Sequence, residues 1–454
     1  MEGLYLHGAG HAEFLPLASF LGLPPLREWN PVWLAIIRCL IWVVPVMLLL
    51  VPAIWFERRL LGWMQDRQGP NRVGPFGLLQ PVADISKLFF KEEIIPSGVD
   101  RGIYILAPIL SLIPPVLLGA TIPIWPLVGD FKYLTPIANL DIGVLFLFAV
   151  SSLGVYGLVL GGYSGNNKYS MLGGLRASAQ LISYELAMGM SLACIVLLDG
   201  SLKIPDMVAN QQTPLWAIPG CWVADWNIFT PFGFFAGIVF FVCMFAETNR
   251  APFDLPEGEN EIIGGYHTEY SSTKFVAFLM AEYMAMVVYG AVFASVFLGG
   301  YSLLPINWET LATEVPAAAG FAHFMGWLSD TFGPIWLVGK ICLGIFAYIW
   351  VRGTLPRLRY DQLMNLGWRI LLPMATINLV IVGLWQVTAG TFGLAIGWGV
   401  TIAAYLLVFM IYGLVGRQSR ATSAPLDSRS IDLVEVPATK KPEASQPEAA
   451  GGTS

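Results

Sequence analysis

Charge is scarce in this chain. Only 12% of its 454 residues are Asp, Glu, Lys or Arg, while 56% are hydrophobic and the mean hydropathy is +0.64. A soluble domain carries about twice that charged share, so a water-facing surface for a protein of this size cannot be built from this composition. A basic excess is missing too: the net charge is −6, with a pI of about 5.3, which removes the electrostatic ground for nucleic-acid binding. Cysteine is sparse, and Cys39, Cys194, Cys221, Cys243 and Cys342 are never closer than 22 positions. No CxxC or iron–sulfur ligand run exists, the four histidines lack metal-pair spacing, and no metal or bound cofactor is expected on this chain. The first residues have no basic region ahead of an apolar run, so they do not read as a cleaved signal peptide, and the first span is expected to serve as the insertion signal.

Long apolar runs are what the chain has. A membrane crossing needs roughly 20 apolar residues. Seven runs qualify, at about 32–56, 102–124, 142–163, 177–198, 230–248, 275–299 and 332–351. An uncharged stretch from Ile370 to Gly416 is too long for one crossing, and the segment Thr388 to Gly393 offers a break. The expectation is an all-α polytopic membrane protein of about nine spans. With the N-terminus outside, 20 of the 25 Lys and Arg residues fall in inner segments, 3 outside and 2 within spans, as the positive-inside rule requires. Residues 1–30 are then an extracytoplasmic segment and 31–416 a membrane domain with inner loops 57–101, 246–274 and 352–369. The Pro-, Ala-, Ser- and Glu-rich stretch 417–454 reads as a disordered inner tail.

Ionisable residues inside spans are costly and point to function. Glu185, Glu247, Glu282 and Lys340 lie on four consecutive spans, and Arg38 lies on the first. Low dielectric disfavours an ionised carboxylate, which suits reversible protonation along a relay; the alternative is a set of static hydrogen-bonded helix contacts. The first inner loop combines basic residues, a Gly/Pro cluster and a predicted helix over 80–91, where Asp84, Lys87 and Lys91 share a face. The third inverts the sign expected inside. Residues 246–270 hold Glu247, Asp254, Glu257, Glu259, Glu261 and Glu269 against Arg250. Acids barely affect topology, so this loop is a docking surface for a basic partner, a carboxylate funnel or a solvated loop. The loop 352–369 is basic and aromatic, like an interfacial anchor.

Four blocks carry a resemblance: ERRLLGWMQDRQGPNRVGPFGLLQPVADISKLFFKE (57–92), LRASAQLISYE (175–185), AETNRAPFDLPEGENEIIGGYHTEY (246–270) with Glu282-Tyr283, and WVRGTLPRLRYDQLMNLGW (350–368). In this order they resemble the H subunit of bacterial proton-translocating NADH:quinone oxidoreductase, the family of subunit 1 of mitochondrial complex I, over about residues 31–386. The resemblance implies a subunit at the junction of the membrane and hydrophilic arms, not active alone. It would line a chamber entered by ubiquinone or menaquinone, with quinone as substrate and with flavin and iron–sulfur clusters on partner subunits. Carried over by motif, Glu57, Arg58, Arg59, Gln65, Arg67, Gln80 and Asp84 belong to the chamber entrance. Glu185, Glu247 and Glu282 would be proton-path carboxylates, and Asp254, Glu257, Glu259 and Glu261 would face the hydrophilic arm. The implied partners are soluble quinone-site subunits, small membrane subunits and the lipid of a bacterial inner membrane. Two features depart from the family's usual pattern: a ninth helix at about 394–415 with its tail, and a long N-terminus. A ferredoxin- or hydrogenase-linked relative and a stand-alone secondary transporter are the rival readings; no clear internal repeat favours the transporter.

Overall fold

Residues 30–126, 134–215, 221–256 and 263–422 are described by a computed structural model. The expectations for the N-terminal segment, for the tail beyond residue 422 and for Glu257, Glu259 and Glu261 lie outside the described residues. The described chain is helical, with two isolated β-bridges and no strand.

Among the described residues nine helices carry the apolar runs: α1 (Pro31–Met64), α3 (Arg101–Leu118), α4 (Gly143–Ser164), α5 (Lys168–Asp199), α7 (Pro231–Glu247), α8 (Ser272–Phe297), α11 (Gly333–Thr354), α13 (Leu372–Phe392) and α14 (Leu394–Thr422). Between them lie α2 (Gln80–Phe89), α6 (Ile204–Asn210), α9 (Trp308–Glu314), α10 (Ala319–Thr331) and α12 (Tyr360–Asn365), the last joined to α13 by a π-helical turn, Leu366–Leu371. Local chemistry sets the starts. Asn30, Asp100, Asn167 and Thr230 each cap a helix with a side-chain oxygen that accepts first-turn backbone N–H groups. The expected break after α13 falls at Gly393, whose φ of +93° is open to glycine and strained for other residues.

Two boundaries differ from expectation. The first helix does not stop near residue 56 but runs to Met64, so Glu57, Arg58 and Arg59 sit on its last turns rather than in a loop. At 1.5 Å per residue its 34 residues span about 51 Å, well beyond a ~30 Å hydrocarbon core, which lets its charged end stand clear of the oil. The last helix likewise continues past Arg417 to Thr422, because nothing between 417 and 422 breaks it.

Helix α8 is the central post. It is the most buried of the long apolar helices and packs against α1, α3, α7 and α11. Helices α5 and α13 close the other side of α7. Contacts between connecting segments sort by end of the bundle. At the inner end Ser272 bonds the carbonyls of Leu88 and Lys91. At the outer end Asn307 bonds the Gln212 carbonyl and Gln211 that of Ser295. This separation matches the alternation of inner and outer loops read from the sequence. The ninth helix docks on α13 and α7 through the Tyr405 hydroxyl, which donates to Asn378 Oδ1 at 2.6 Å, and through Trp398, stacked on Phe232, whose ring is also tilted against Trp385.

Candidate functional site

A cavity of about 70 Å³ lies between α3, α4, α7 and α8, and Glu247 and Glu282 are both on its wall. On this measure a water needs roughly 10–15 Å³, so there is room for a short water chain. Helical spacing explains the placement, because Glu282, Ala285 and Tyr289 at i, i+3 and i+7 present one face of α8 to it. The 3₁₀ turn Gly265–His267 inserts the buried Tyr266, whose hydroxyl donates to Glu282 Oε1 at 2.9 Å. The Tyr289 hydroxyl donates to Glu247 Oε1 at 3.1 Å, and Glu247 Oε2 has no hydrogen-bond partner among the described residues. On the opposite wall, Ser151 and Ser152 of α4 donate to Glu185 Oε1 at 2.6 and 2.8 Å. Ser151 is itself a lining residue, and Glu185 and Glu247 are near enough to interact electrostatically. Carboxylates that each accept from a neighbouring hydroxyl, a group that can both donate and accept, around space for water form a set along which a proton can pass.

Lys340, fourth in the row of ionisable span residues, is not part of this set. Its ammonium caps the outer end of α8 by bonding the carbonyls of Leu298 and Gly300, and it lies 4.3 Å over the Trp226 ring. Consecutive spans need not be adjacent at the same depth, which is why the pattern in sequence grouped it with the carboxylates.

A second cluster sits at the inner end of α1. Glu57 is buried, forms an ion pair with Arg352 and a second with Arg250 at 3.7 Å, and accepts from the Tyr283 hydroxyl at 2.8 Å. The Arg250 guanidinium also lies 4.2 Å over the Tyr283 ring. Arg352, read from the sequence as part of an interfacial anchor, therefore points into the protein.

Next to this cluster Arg58 pairs with Asp84 of α2, and Asp84 also accepts from Gln80 at 3.0 Å. Arg59 lies between the rings of Trp55 and Trp63 and donates to the carbonyls of Pro70 and Phe76, pinning the Gly/Pro turn to the helix. Gln65 and Arg67 are exposed and bonded to each other at 2.7 Å. The first-loop residues are thus brought together around the α1–α2 corner, on the side of α8 that carries Tyr283. In the acidic loop, Asp254 pairs with Arg357 at 2.6 Å and Glu269 accepts from Asn167 at 2.8 Å, so both are engaged within the chain. The loop is further held by Gln180, whose amide donates to the carbonyls of Ala246 and Phe253.

Sequence reading missed Tyr266, Tyr283, Tyr289, Ser151, Ser152, Arg250 as a partner of Glu57, and Arg352. The tyrosines had a signal in retrospect, since Tyr289 lies two turns from Glu282 on the same face; the serines and Arg352 had none. No group of three His, Cys, Asp or Glu able to hold a metal occurs among the described residues.

The sequence model of the family described as NADH dehydrogenase matches residues 37–383. An H subunit of the NADH-quinone oxidoreductase of Cytophaga hutchinsonii is 47% identical over 330 residues, covering 72% of this chain and 89% of that protein. The H subunit of the NADH-quinone oxidoreductase of Ralstonia nicotianae is 41% identical over 372 residues, covering 82% of this chain and 97% of that protein. The match spans α1 to α13 and includes every residue of both polar clusters, and on this basis the chain belongs to the NADH dehydrogenase family, that of the H subunits of complex I.

Proposed function

We propose that the chain is the junction subunit that lines the quinone chamber of a bacterial plasma-membrane NADH:quinone oxidoreductase and couples quinone reduction to proton translocation. The observation that carries the coupling is the cavity shared by Glu247 and Glu282, with the Glu185 donor Ser151 on its wall. In this reading electrons reach the quinone from flavin and iron–sulfur clusters on partner subunits, and this chain supplies no redox group. The α1–α2 corner, with Arg58, Arg59, Gln80 and Asp84, guides the quinone from the bilayer, and the Glu57 cluster transmits a change there to α8 through Tyr283. Protons then move between Glu282, Glu247 and Glu185. Glu257, Glu259 and Glu261 dock the soluble quinone-site subunits, and small membrane subunits cover the remaining inner flank. The names of the relatives favour NADH and quinone over a ferredoxin- or hydrogenase-linked complex.

The test uses the assembled complex in proteoliposomes. Glu282→Gln and Glu247→Gln are expected to lower quinone-linked proton uptake roughly a hundredfold or more, the scale of a positioned acid–base group, while NADH oxidation by ferricyanide is unchanged. Full proton uptake in both variants would end the relay reading.

A further inference from the structure

We infer that Gln180 is a positioning residue for the Glu247 carboxylate: from α5 it locks the last turn of α7 and so sets where Glu247 stands in the cavity. The consequence for proton uptake rests on the proposed relay, whereas the placement of Glu247 is measurable without it. Glu247 is the last residue of α7, and the carbonyls of a final helical turn lack intrahelical donors. Such a turn frays unless something outside the helix holds it. The Gln180 side chain is fully buried, and its Nε2 donates to the Ala246 carbonyl at 2.8 Å, to the Phe253 carbonyl at 2.9 Å and to Asn249 Oδ1 at 3.2 Å. Those acceptors lie on both sides of Glu247 in the chain, and Thr248 and Asn249, which follow it, line the same cavity. Asn249, at a φ of +49°, ends the helix in the left-handed conformation that asparagine tolerates.

The amide can face only one way. Turned over, it would set its oxygen against the carbonyl oxygens of Ala246 and Phe253, so the nitrogen faces the turn and Gln180 Oε1 has no hydrogen-bond partner among the described residues. A buried unpaired oxygen is costly. An apolar side chain of this size would avoid that cost but would leave the turn unheld. The same stretch of α5 places the second carboxylate. Gln180 and Glu185 lie roughly 140° apart around the helix at 3.6 residues per turn, so Gln180 reaches α7 while Glu185 meets Ser151 and Ser152 of α4. About a turn and a half of α5 thus sets Glu185 and Glu247 relative to each other, and the two interact electrostatically. The Tyr289 bond to Glu247, at 3.1 Å, is already long for a hydroxyl donor, so a small shift of the last turn breaks it.

The experiment compares cryo-EM maps of the intact complex with its quinone-linked proton uptake in proteoliposomes. Gln180→Met, similar in length but unable to donate, is expected to loosen the last turn of α7 and part Glu247 from Tyr289. Uptake is expected to fall roughly tenfold or more, towards the hundredfold that a 1 Å misplacement can cost, with the KM for quinone unchanged. Ser191→Ala is the control. It removes another buried bond between α5 and α7, from Ser191 Oγ to the Ala236 carbonyl at 2.6 Å, and is expected to leave both the Glu247–Tyr289 bond and the uptake as in the parent. Gln180→Asn, whose amide is one methylene short of the turn, is expected to show a smaller loss and carries the test if Gln180→Met does not assemble. An unmoved Glu247 in the variant map, parental uptake where Glu247→Gln has lost it, or an equal loss in Ser191→Ala would each overturn the inference. A displaced Glu247 in Gln180→Met beside normal uptake in Glu247→Gln would end the relay reading and leave the positioning role standing.

Discussion

The Glu57 cluster allows a quantitative test of how the inner ends of α1, α8 and α11 are held. Arg352→Gln removes one cation from a carboxylate whose side chain is only 8% exposed. A fully buried pair costs about 3–5 kcal/mol to break from one side, whereas an exposed pair is worth about 0–1 kcal/mol. The Arg352 side chain is 39% exposed, and Glu57 keeps both Tyr283 at 2.8 Å and Arg250 at 3.7 Å, so the expected loss falls between those limits, about 1–2 kcal/mol. Glu57→Gln is the harsher change. It takes the carboxylate charge away from both Arg352 and Arg250, the latter with a side chain 12% exposed, at a cost of about 3 kcal/mol or more. Large membrane assemblies unfold irreversibly, so the measurement is the rate of thermal inactivation of the purified complex. If the lost energy appears in the unfolding barrier, Arg352→Gln accelerates inactivation by roughly five- to thirtyfold and Glu57→Gln by over a hundredfold, since 1.4 kcal/mol is a factor of about ten. The double variant should be less unstable than the sum of the singles, because each removes the same pair. Additive effects, or a larger effect for Arg352→Gln than for Glu57→Gln, would refute the assignment of Glu57 as the shared centre.

Other expectations follow from the same geometry. Ser151→Ala combined with Ser152→Ala strips both hydroxyl donors from Glu185 and should slow proton uptake while the complex still assembles; normal uptake would show that Glu185 works without them. Gly77→Ala places a Cβ against the Pro70 carbonyl at a φ of +77°, so the 70–77 turn should loosen and become more sensitive to limited proteolysis. Reversal of Glu257, Glu259 and Glu261 to Lys should prevent attachment of the hydrophilic arm, and a normal yield of intact complex on a native gel would argue against docking through that loop.

Much of the architecture was legible because the bilayer imposes local rules. A crossing must be long and apolar, and a basic loop stays inside, so the runs from 32–56 to 332–351 and the break at Gly393 could be read one at a time. Glu185, Glu247 and Glu282 stood out for the same reason: a carboxylate within an apolar run is conspicuous whatever surrounds it. Helix length beyond the oil was less legible. The charged turns Glu57 to Arg59 look like a loop when hydropathy is the only guide, yet helical hydrogen bonding continues through them to Met64.

What the sequence determined by itself is therefore the class of protein, its spans, their orientation and the ionisable residues inside those spans, because each depends on the transfer of a short segment from water to lipid. Only the tertiary structure decided which further charges are buried and which of them meet. Glu57 and Arg352 are 295 positions apart and pair because α1 and α11 pack side by side; Lys340, on the span after Glu282, ends up capping the far end of α8. Contact between helices depends on packing angle, depth and rotation, and those are set by the whole bundle rather than by any one segment.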